Sequence, residues 1–494
     1  MELLATATNS LIQLFNPIQL GMLFVGVAVG LIIGILPGLA GVVGMALMLP
    51  FVWDMEPNTA VTLLIGMLSV LRTVDTIPAV LFAVPGTAGS QATVIDGFPM
   101  AKKGEAARAL GAAFTASMIG GLFGAAFLIL SFPIAQPLIS ALGSPEFFML
   151  SILGISMVGV LSGNRPIKGV VAGLLGMALS SIGGQPSGYG FRYTFNLLYL
   201  NDGFPLVVIA LGLFAIPEIT DLVIKGTTIS DNPKLGKGML QGVKDCYENL
   251  FLILRCSLLG TYIGFLPGLG YSPANWLAYG HTVQSSKDKE NFGKGDVRGV
   301  IGPEAANNAA AGGSLIPTLL FGIPGSGTMA VFLFALMILG VDPGPNLLTN
   351  HLDLACTMVW ALAIGNVIST SACFLITKPI AKITTIKIHY WVPFVLMMII
   401  LGAFQSTSSW GDLISLLVIG IMGWLLKEFE WPRPPILMGF ILGEIAEKYL
   451  WISVQRYDAS WLTRPLVIFI GVLTVASILM GISWKRKRRS DHEI

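Results

Sequence analysis

Long runs of apolar residues alternate with short polar connections along the whole chain. A membrane-spanning helix needs about 20 mostly apolar residues, and the runs of suitable length are 17–36, 106–132, 146–162, 167–183, 203–224, 248–266, 351–377, 388–405, 410–426, 434–450 and 463–483. Shorter apolar segments broken by glycine and proline lie between them, at 38–52, 76–95, 268–280 and 315–338. The pattern predicts an all-α polytopic membrane protein with about 11 crossings, and with broken or re-entrant helices at Pro37, Pro85, Pro267 and Pro324.

The composition supports a membrane protein. Charged residues make up 11% of the 494 residues and hydrophobic residues 54%, whereas an ordinary soluble domain has about 25% charged residues. The 58 glycines also fit, because glycine is more frequent in membrane helices than in soluble ones. Soluble enzymes, nucleic-acid-binding proteins and disordered scaffolds are therefore excluded as interpretations of the whole chain.

The residues typical of catalysis are few and scattered. The four cysteines form no CxxC pair, and the four histidines form no metal-binding cluster. The chain also lacks a Walker motif. We expect no enzyme activity, no cofactor other than a coupling cation, and no nucleic-acid partner.

The distribution of Lys and Arg predicts the orientation in the bilayer. Residues 1–60 and the connections 133–145 and 339–350 contain neither, whereas the connection 225–244 and the tail 485–489 are basic. Cytoplasmic loops are enriched in basic residues, so we expect a periplasmic N-terminus and a cytoplasmic C-terminus. Because no basic residue precedes Arg72, the first apolar run is expected to be a retained helix rather than a signal peptide.

Motifs of the first half recur in the second half in the same order. The segment 34–40 (GILPGLA) matches 264–270 (GFLPGLG), 84–87 (VPGT) matches 323–326 (IPGS), and 133–135 matches 379–381 (both PIA), with offsets of 230, 239 and 246 residues. The two copies begin in regions of opposite basic character, which predicts an inverted-topology repeat, a construction typical of secondary transporters. The predicted divisions are 1–225 for the first repeat, 226–246 for a cytoplasmic connection, 247–460 for the second repeat, and 461–494 for the last membrane helix and basic tail.

Paired breaks in the two halves of a transporter indicate its substrate site. The residues after each break carry hydroxyl and amide groups and suit a helix N-terminus, which binds anions such as carboxylates. The alternative is that the Pro-Gly motifs are only kinks and points of tight helix packing. The substrate-binding candidates at the breaks are Pro37, Gly38, Leu39, Pro85, Gly86, Thr87, Ser90, Gln91, Gly268, Gly270, Pro324, Gly325, Ser326, Gly327 and Thr328.

A second group of polar residues could bind a cation. Pro303 is predicted at the first position of a helix and Glu304 in its first turn, which places Glu304, Asn307 and Asn308 on one face. Their oxygens could hold Na⁺, with Ser314 as a further ligand, or the glutamate could carry a proton. Helix capping and hydrogen bonds between helices are the alternative.

Arg72 and Asp75 interrupt the otherwise apolar segment 62–84. Charged residues at membrane depth cost about 2.5–3.5 kcal/mol each and are functional by default. Arg72 could bind a substrate carboxylate with its two-pronged guanidinium, while Asp75 orients it or excludes a competing anion. Alternatively, the two side chains neutralise each other as a structural pair.

Three segments together resemble the large membrane subunit of tripartite tricarboxylate transporters, the TctA family. They are the repeated GxLPGL motif, 303–327 (PEAANNAAAGGSLIPTLLFGIPGSG) and 96–111 (DGFPMAKKGEAARALG). The resemblance implies a cation-coupled importer of tricarboxylates or dicarboxylates in the bacterial inner membrane. It further implies a small membrane subunit and an extracytoplasmic solute-binding protein as partners.

The chain departs from this family's pattern at one place. Family members usually have Gly-Gly-Ser before the first Pro-Gly break, whereas this chain has Thr73-Val-Asp75 there. The departure concerns the substrate range rather than the assignment as a transporter. The alternative function is a stand-alone secondary transporter of another organic anion or an amino acid, which would work without a binding protein.

Overall fold

The computed structural model describes residues 2–35, 41–83, 87–140, 142–161, 166–185, 190–225, 236–267, 271–383 and 391–476. These residues are mostly helical. In chain order the helices are α1 (Glu2–Leu14), α2 (Pro17–Ile35), α3 (Val42–Val52), α4 (Pro57–Val74), α5 (Thr76–Phe82), α6 (Thr93–Lys102), α7 (Ala106–Ser140), α8 (Ser144–Leu161), α9 (Pro166–Ser180), α10 (Leu206–Ala210), α11 (Ile216–Lys225), α12 (Met239–Glu248), α13 (Leu250–Phe265), α14 (Ser272–Ser285), α15 (Arg298–Phe321), α16 (Gly327–Ile338), α17 (Pro345–Asn350), α18 (Leu352–Ile383), α19 (Trp391–Phe404), α20 (Trp410–Glu428), α21 (Pro434–Tyr457) and α22 (Pro465–Ala476). Two short strands, β1 (Gly183–Gly184) and β2 (Phe191–Arg192), pair antiparallel, with Gly183 opposite Arg192.

Five stretches of described helix are long and apolar enough to cross a membrane, namely Pro17–Ile35, Pro57–Phe82, Ala106–Ala135, Leu352–Thr377 and Trp410–Glu428. The prediction of an all-α, multi-pass membrane protein is therefore confirmed for the described part of the chain. The sequence prediction missed one of these stretches, Pro57–Phe82, and gave only a short broken segment from residue 76. The error arose because the charged residues in this stretch interrupt its apolar run, although the structure buries them.

The start of α15 also corrects the sequence analysis. The helix begins at Arg298, so the prediction that Pro303 takes the first helical position and Glu304 the first turn is wrong. The Asp296 side chain accepts the backbone N–H of Arg298 at 2.9 Å and pairs with its guanidinium at 2.6 Å, which fixes the earlier start. Burial opposes ionisation of Asp296, but the hydrogen bonds from Arg298 outweigh it and hold the Asp296 pKa below its usual value.

Helices α4, α5 and α15 form the centre of the molecule. Every residue from Gly299 to Leu320 is buried, as is every residue from Ala60 to Val74. Helices α2 and α18 pack on α4, helices α13 and α7 pack on α15, and α18 contacts α7. The two sets of contacts correspond to each other under the proposed internal repeat. The packing of α2 on α4 corresponds to that of α13 on α15, and the packing of α18 on α4 corresponds to that of α7 on α15. That the two copies lie in opposite orientations stays a prediction.

Glycines allow the backbones of the central helices to touch. Gly120 of α7 lies against the carbonyl oxygen of Ala305, and Gly260 of α13 lies against that of Ala306 on the other side of α15. A Cβ atom at either glycine would overlap the oxygen it faces. Small residues permit such close approach in membrane proteins, where packing rather than hydrophobicity drives helix association. Helix α15 is therefore held by backbone contacts on two sides.

A second group of helices packs beside this centre. Helices α8 and α9 pack on α21, and α11 packs on α20. Lys427 and Arg433 both pair with Glu218 of α11, at 2.8 Å and 3.0 Å. These ion pairs join α11, α20 and the start of α21.

Candidate transport site

Helix α5 ends at Phe82, shortly before the first Pro-Gly motif. Ala83 has φ 56°, in the left-handed region, and the chain turns there. Further along, the Thr87 hydroxyl accepts the backbone N–H of Gly89 at 3.0 Å and donates to Asp75 Oδ2. Residues 87–92, which contain the 3₁₀ turn Ala88–Ser90, are called the first tip below.

The second Pro-Gly break lies between α15 and α16. Gly322 has φ 66°, and the N–H of Gly325 donates to the Thr318 hydroxyl at 3.2 Å. Ser326 caps α16, because its hydroxyl accepts the N–H of Met329 at 3.3 Å. Residues 322–328, which include Pro324, Gly327 and Thr328, are called the second tip. Each tip thus uses a hydroxyl to bind a backbone N–H at the start of a helical turn.

Arg72 contacts α15 and Tyr271. Its side chain is buried, Nη1 donates to the carbonyl oxygen of Asn307 at 3.0 Å, and the guanidinium carbon is 3.4 Å from the ring centroid of Tyr271. The Tyr271 hydroxyl in turn hydrogen-bonds the Ser326 hydroxyl at 2.7 Å. Nη2 of Arg72 is buried and has no hydrogen-bond partner among the described residues. Stacking on an aromatic ring stabilises a desolvated guanidinium. It leaves the N–H groups in the plane of the guanidinium available to donate hydrogen bonds.

Arg72 and Asp75 bond to different partners. Asp75 is fully buried and receives the Thr87 hydroxyl on Oδ2, while Oδ1 lacks a hydrogen-bond partner within the described part of the chain. The carboxylate is thus bonded to the first tip, and the guanidinium is bonded to α15 and Tyr271. This geometry differs from the self-contained ion pair that was the structural alternative.

Asn307 and Asn308 connect α15 to α4. The Asn307 amide nitrogen lies 3.4 Å from the carbonyl oxygen of Arg72, and the Asn308 amide nitrogen donates to the Thr73 hydroxyl at 2.9 Å and to Asn366 Oδ1 at 3.2 Å. The nitrogens therefore make the hydrogen bonds between helices that were one of the two interpretations. Both amide oxygens are buried and have no partner among the described residues.

Glu304 is fully buried and has its own hydroxyl partners. The Thr93 hydroxyl donates to Oε1 at 2.6 Å and the Ser117 hydroxyl donates to Oε2 at 3.1 Å. Ser314 lies elsewhere, because ten residues of helix separate the two by about 15 Å, and it packs against Gly325 of the second tip. Glu304 and Ser314 are thus not brought together. No group of three His, Cys, Asp or Glu side chains suited to a metal ion occurs in the described part of the chain.

Helix α14 covers the outer side of the first tip. The Trp276 indole donates to Gln91 Oε1 at 3.2 Å, and Asn275 Oδ1 accepts the N–H of Ala92 at 2.8 Å. Ser90 donates to the carbonyl oxygen of Thr87 at 3.2 Å. Because α14 belongs to the second half of the chain, each half contributes to the first tip. The remaining candidates, Pro37, Gly38, Leu39, Pro85, Gly86, Gly268 and Gly270, lie outside the described residues.

Sequence reasoning missed several residues of this site. Tyr271 had a signal, because it directly follows the repeated segment 264–270. Thr93, Ser117 and Asn366 had none, since no sequence motif sets them apart from the other polar residues of their helices and only the fold brings them to Glu304 or Asn308.

The fold and the buried polar centre define a multi-pass helical membrane protein of the transporter class. Residues 20–438 match the Tripartite tricarboxylate transporter TctA family, and the chain belongs to this family. Members of this family function in membrane transport systems with several subunits rather than as enzymes.

Two relatives are from Agrobacterium vitis. The chain is 28% identical, over 98% of its length and 97% of the relative, to an uncharacterized 52.8 kDa protein in the TAR-I ttuC' 3' region. It is 31% identical over 47% of its length to an uncharacterized protein in the TAR-II ttuC' 3' region, and this match covers 98% of that protein. No solved structure matches the chain.

Proposed function

We propose that this chain is the large permease subunit of a tripartite secondary transporter and carries an organic carboxylate across the bacterial inner membrane. A tricarboxylate or a dicarboxylate is the substrate. Uptake is driven by a cation, Na⁺ or H⁺. A small membrane subunit and an extracytoplasmic solute-binding protein complete the system, and the binding protein delivers the substrate.

The observation that carries the proposal is the state of Arg72. A buried guanidinium is costly unless it is paired, and Nη2 of Arg72 has no hydrogen-bond partner among the described residues. A substrate carboxylate is the natural partner, because guanidinium and carboxylate match as a fork of two hydrogen bonds. Both tips are linked to this region, since Ser326 of the second tip bonds Tyr271, on which Arg72 stacks, and Thr87 of the first tip bonds Asp75.

The charges at the centre support cation coupling. Arg72, Asp75 and Glu304 are all buried there, and when all three are ionised they leave one net negative charge. A buried unpaired charge is unfavourable, so one monovalent cation or one proton is required before an anionic substrate enters. This requirement ties substrate binding to cation binding.

The proposed arrangement in the membrane is based on the internal repeat. The two halves face opposite sides of the membrane, the N-terminus is periplasmic and the C-terminus cytoplasmic, and the transport site lies where the tips of both halves meet. The reciprocal packing of α14 on the first tip and α3 on α16 supports a two-fold relation between the halves.

Uptake into proteoliposomes tests the proposal. The chain is reconstituted with the small subunit and the binding protein, and uptake of a panel of radiolabelled tricarboxylates and dicarboxylates is followed with and without a Na⁺ gradient. We expect uptake of at least one carboxylate that needs both a cation gradient and the binding protein. Uptake that survives without the binding protein would favour the stand-alone transporter, and downhill flux without any cation requirement would indicate a channel.

A further inference from the structure

The buried centre contains a set of oxygen atoms that the hydrogen-bond network leaves unused. Asp75 Oδ1 and Asn307 Oδ1 belong to residues that are 0% exposed, and neither atom has a hydrogen-bond partner among the described residues. Buried acceptors without a partner are rare in proteins, and each calls for a specific explanation. A bound cation is such an explanation, because it needs acceptors and no donors.

The orientation of the Asn307 amide is fixed by its nitrogen. Nδ2 lies 3.4 Å from the carbonyl oxygen of Arg72, and turning the amide over would bring its oxygen to face that carbonyl oxygen instead. Oδ1 therefore points the other way, towards the first tip. A Cβ atom at Gly89 would lie 2.5 Å from Asn307 Oδ1, so only a glycine leaves this oxygen room beside the tip.

The Asp75 carboxylate meets the same turn from the other side. The Thr87 hydroxyl donates to Asp75 Oδ2, and the Ser90 side chain also lies next to this carboxylate. Ser90 uses its hydroxyl hydrogen on the carbonyl oxygen of Thr87 at 3.2 Å, which leaves its oxygen lone pairs available. The turn Ala88–Ser90 thus supplies the Ser90 hydroxyl and lies next to Asn307 Oδ1 at Gly89 and next to the Asp75 carboxylate at Ser90.

Glu304, the other buried carboxylate, differs in this respect. Both of its oxygens already receive hydroxyl hydrogens, from Thr93 and from Ser117. Ser314 lies at the second tip. Asn308 also has a buried amide oxygen without a partner among the described residues, but its nitrogen bonds Thr73 and Asn366, which holds the side chain to α4 and α18 rather than to the first tip. These three side chains are therefore outside the ligand set.

We propose that a single Na⁺ ion binds between the first tip and α15, with Asp75 Oδ1, Asn307 Oδ1 and the Ser90 hydroxyl as its protein ligands. Oxygen ligands suit a hard cation, and a single carboxylate matches a single positive charge. The proposal rests on the proposed function, because it supplies the cation site that cation-driven uptake needs. It also explains the coupling: Asn307 binds the ion through its side chain and holds Arg72 through its backbone carbonyl.

Na⁺ binding to the isolated chain tests the proposal without any substrate. The purified full chain in lipid nanodiscs is unfolded thermally while NaCl replaces choline chloride at constant ionic strength. A ligand that binds the folded state raises the midpoint in a saturable way. Equilibrium binding of radioactive Na⁺ should give about one ion per chain, and this measurement does not depend on any variant.

Matched variants then locate the site. Asp75→Asn and Asn307→Leu should weaken the apparent Na⁺ affinity by about tenfold or more. Asp412→Asn, which neutralises a buried carboxylate that caps α20 outside the centre, should leave it within about twofold. If Asp75→Asn does not fold, Ser90→Ala compared with Ser90→Thr gives the same contrast between a lost and a retained hydroxyl.

Three results would overturn the proposal: wild-type protein that responds equally to Na⁺ and choline, an Asp75→Asn variant with unchanged Na⁺ affinity, or loss of Na⁺ binding in Glu304→Gln but not in Asp75→Asn. Different results would reject the proposed function. Carboxylate uptake driven by a proton gradient alone would leave the function standing and reject the Na⁺ site, whereas Na⁺ binding without uptake of any carboxylate would do the opposite.

Discussion

Removing the ring of Tyr271 should weaken substrate binding through Arg72. The ring is stacked on a guanidinium that is 5% exposed, at 3.4 Å from the ring centroid. A desolvated cation–π contact contributes about 2 kcal/mol. If Tyr271→Leu loses this contribution from the substrate-bound state, the half-saturating carboxylate concentration rises about 30-fold.

Tyr271→Phe is the matched control, because it keeps the ring on Arg72 and removes only the hydroxyl bond to Ser326. A hydrogen bond of this kind contributes about 1 kcal/mol, so the half-saturating concentration should rise by about fivefold or less. The double variant Tyr271→Phe/Ser326→Ala should be no worse than Ser326→Ala alone, since both substitutions remove the same bond.

The assay is uptake into proteoliposomes over a range of substrate concentrations, with the thermal unfolding midpoint of each variant measured in parallel. The midpoint separates a general loss of stability from a specific loss of affinity. Two outcomes would refute the reasoning: equal effects of the leucine and phenylalanine variants, or a wild-type half-saturating concentration in Tyr271→Leu when Arg72→Gln raises it sharply.

Three further predictions concern charge, packing and orientation. Arg72→Gln should raise the half-saturating substrate concentration, and adding Asp75→Asn should not restore it; full recovery of transport in the double variant would show instead that the two residues form a structural pair. Gly120→Leu should lower the free energy of unfolding by about 1–3 kcal/mol, because its side chain would overlap the backbone at Ala305; the change is measured as a lower thermal unfolding midpoint. The control is Gly21→Leu, which has open space around it and should leave the midpoint unchanged. A reporter enzyme active only in the cytoplasm should be active when fused to the C-terminus and inactive when fused to the N-terminus, and the reverse pattern would reject the predicted orientation.

The helix class and most helix positions could be predicted from the apolar runs, because a lipid-facing helix must be apolar over its whole length. The same rule fails for the two central helices. Helices α4 and α15 are surrounded by protein, so they can carry Arg72 or Glu304 wherever a partner is available, and their apolar runs look broken.

The candidate site was predicted only in part, for a different reason. The Pro-Gly motifs and the polar residues of α4 and α15 stand out because they are unusual in their own segments. Contacts such as Asn307 with Arg72 join residues that are 235 positions apart, and no local pattern indicates them. The partner of Arg72 was therefore sought one turn away, at Asp75, whereas the structure supplies Tyr271 from the other half of the chain.

The glycine contacts hold the end of α4 less rigidly than they hold α15. At Gly312 and Gly313 the backbone of α15 touches α7 on one side and α13 on the other, and backbones in contact have no rotamers with which to absorb a displacement. Helix α4 also touches the backbone of α2, because Gly26 faces the carbonyl oxygen of Leu63 and Gly66 faces that of Leu23. At the end of α4, however, Gly34 of α2 meets the side chain of Val74, and a side chain can readjust. Helix α15 is thus held by backbone contacts, whereas the end of α4 that carries Arg72 and leads into the first tip is held by side chains and can move more easily.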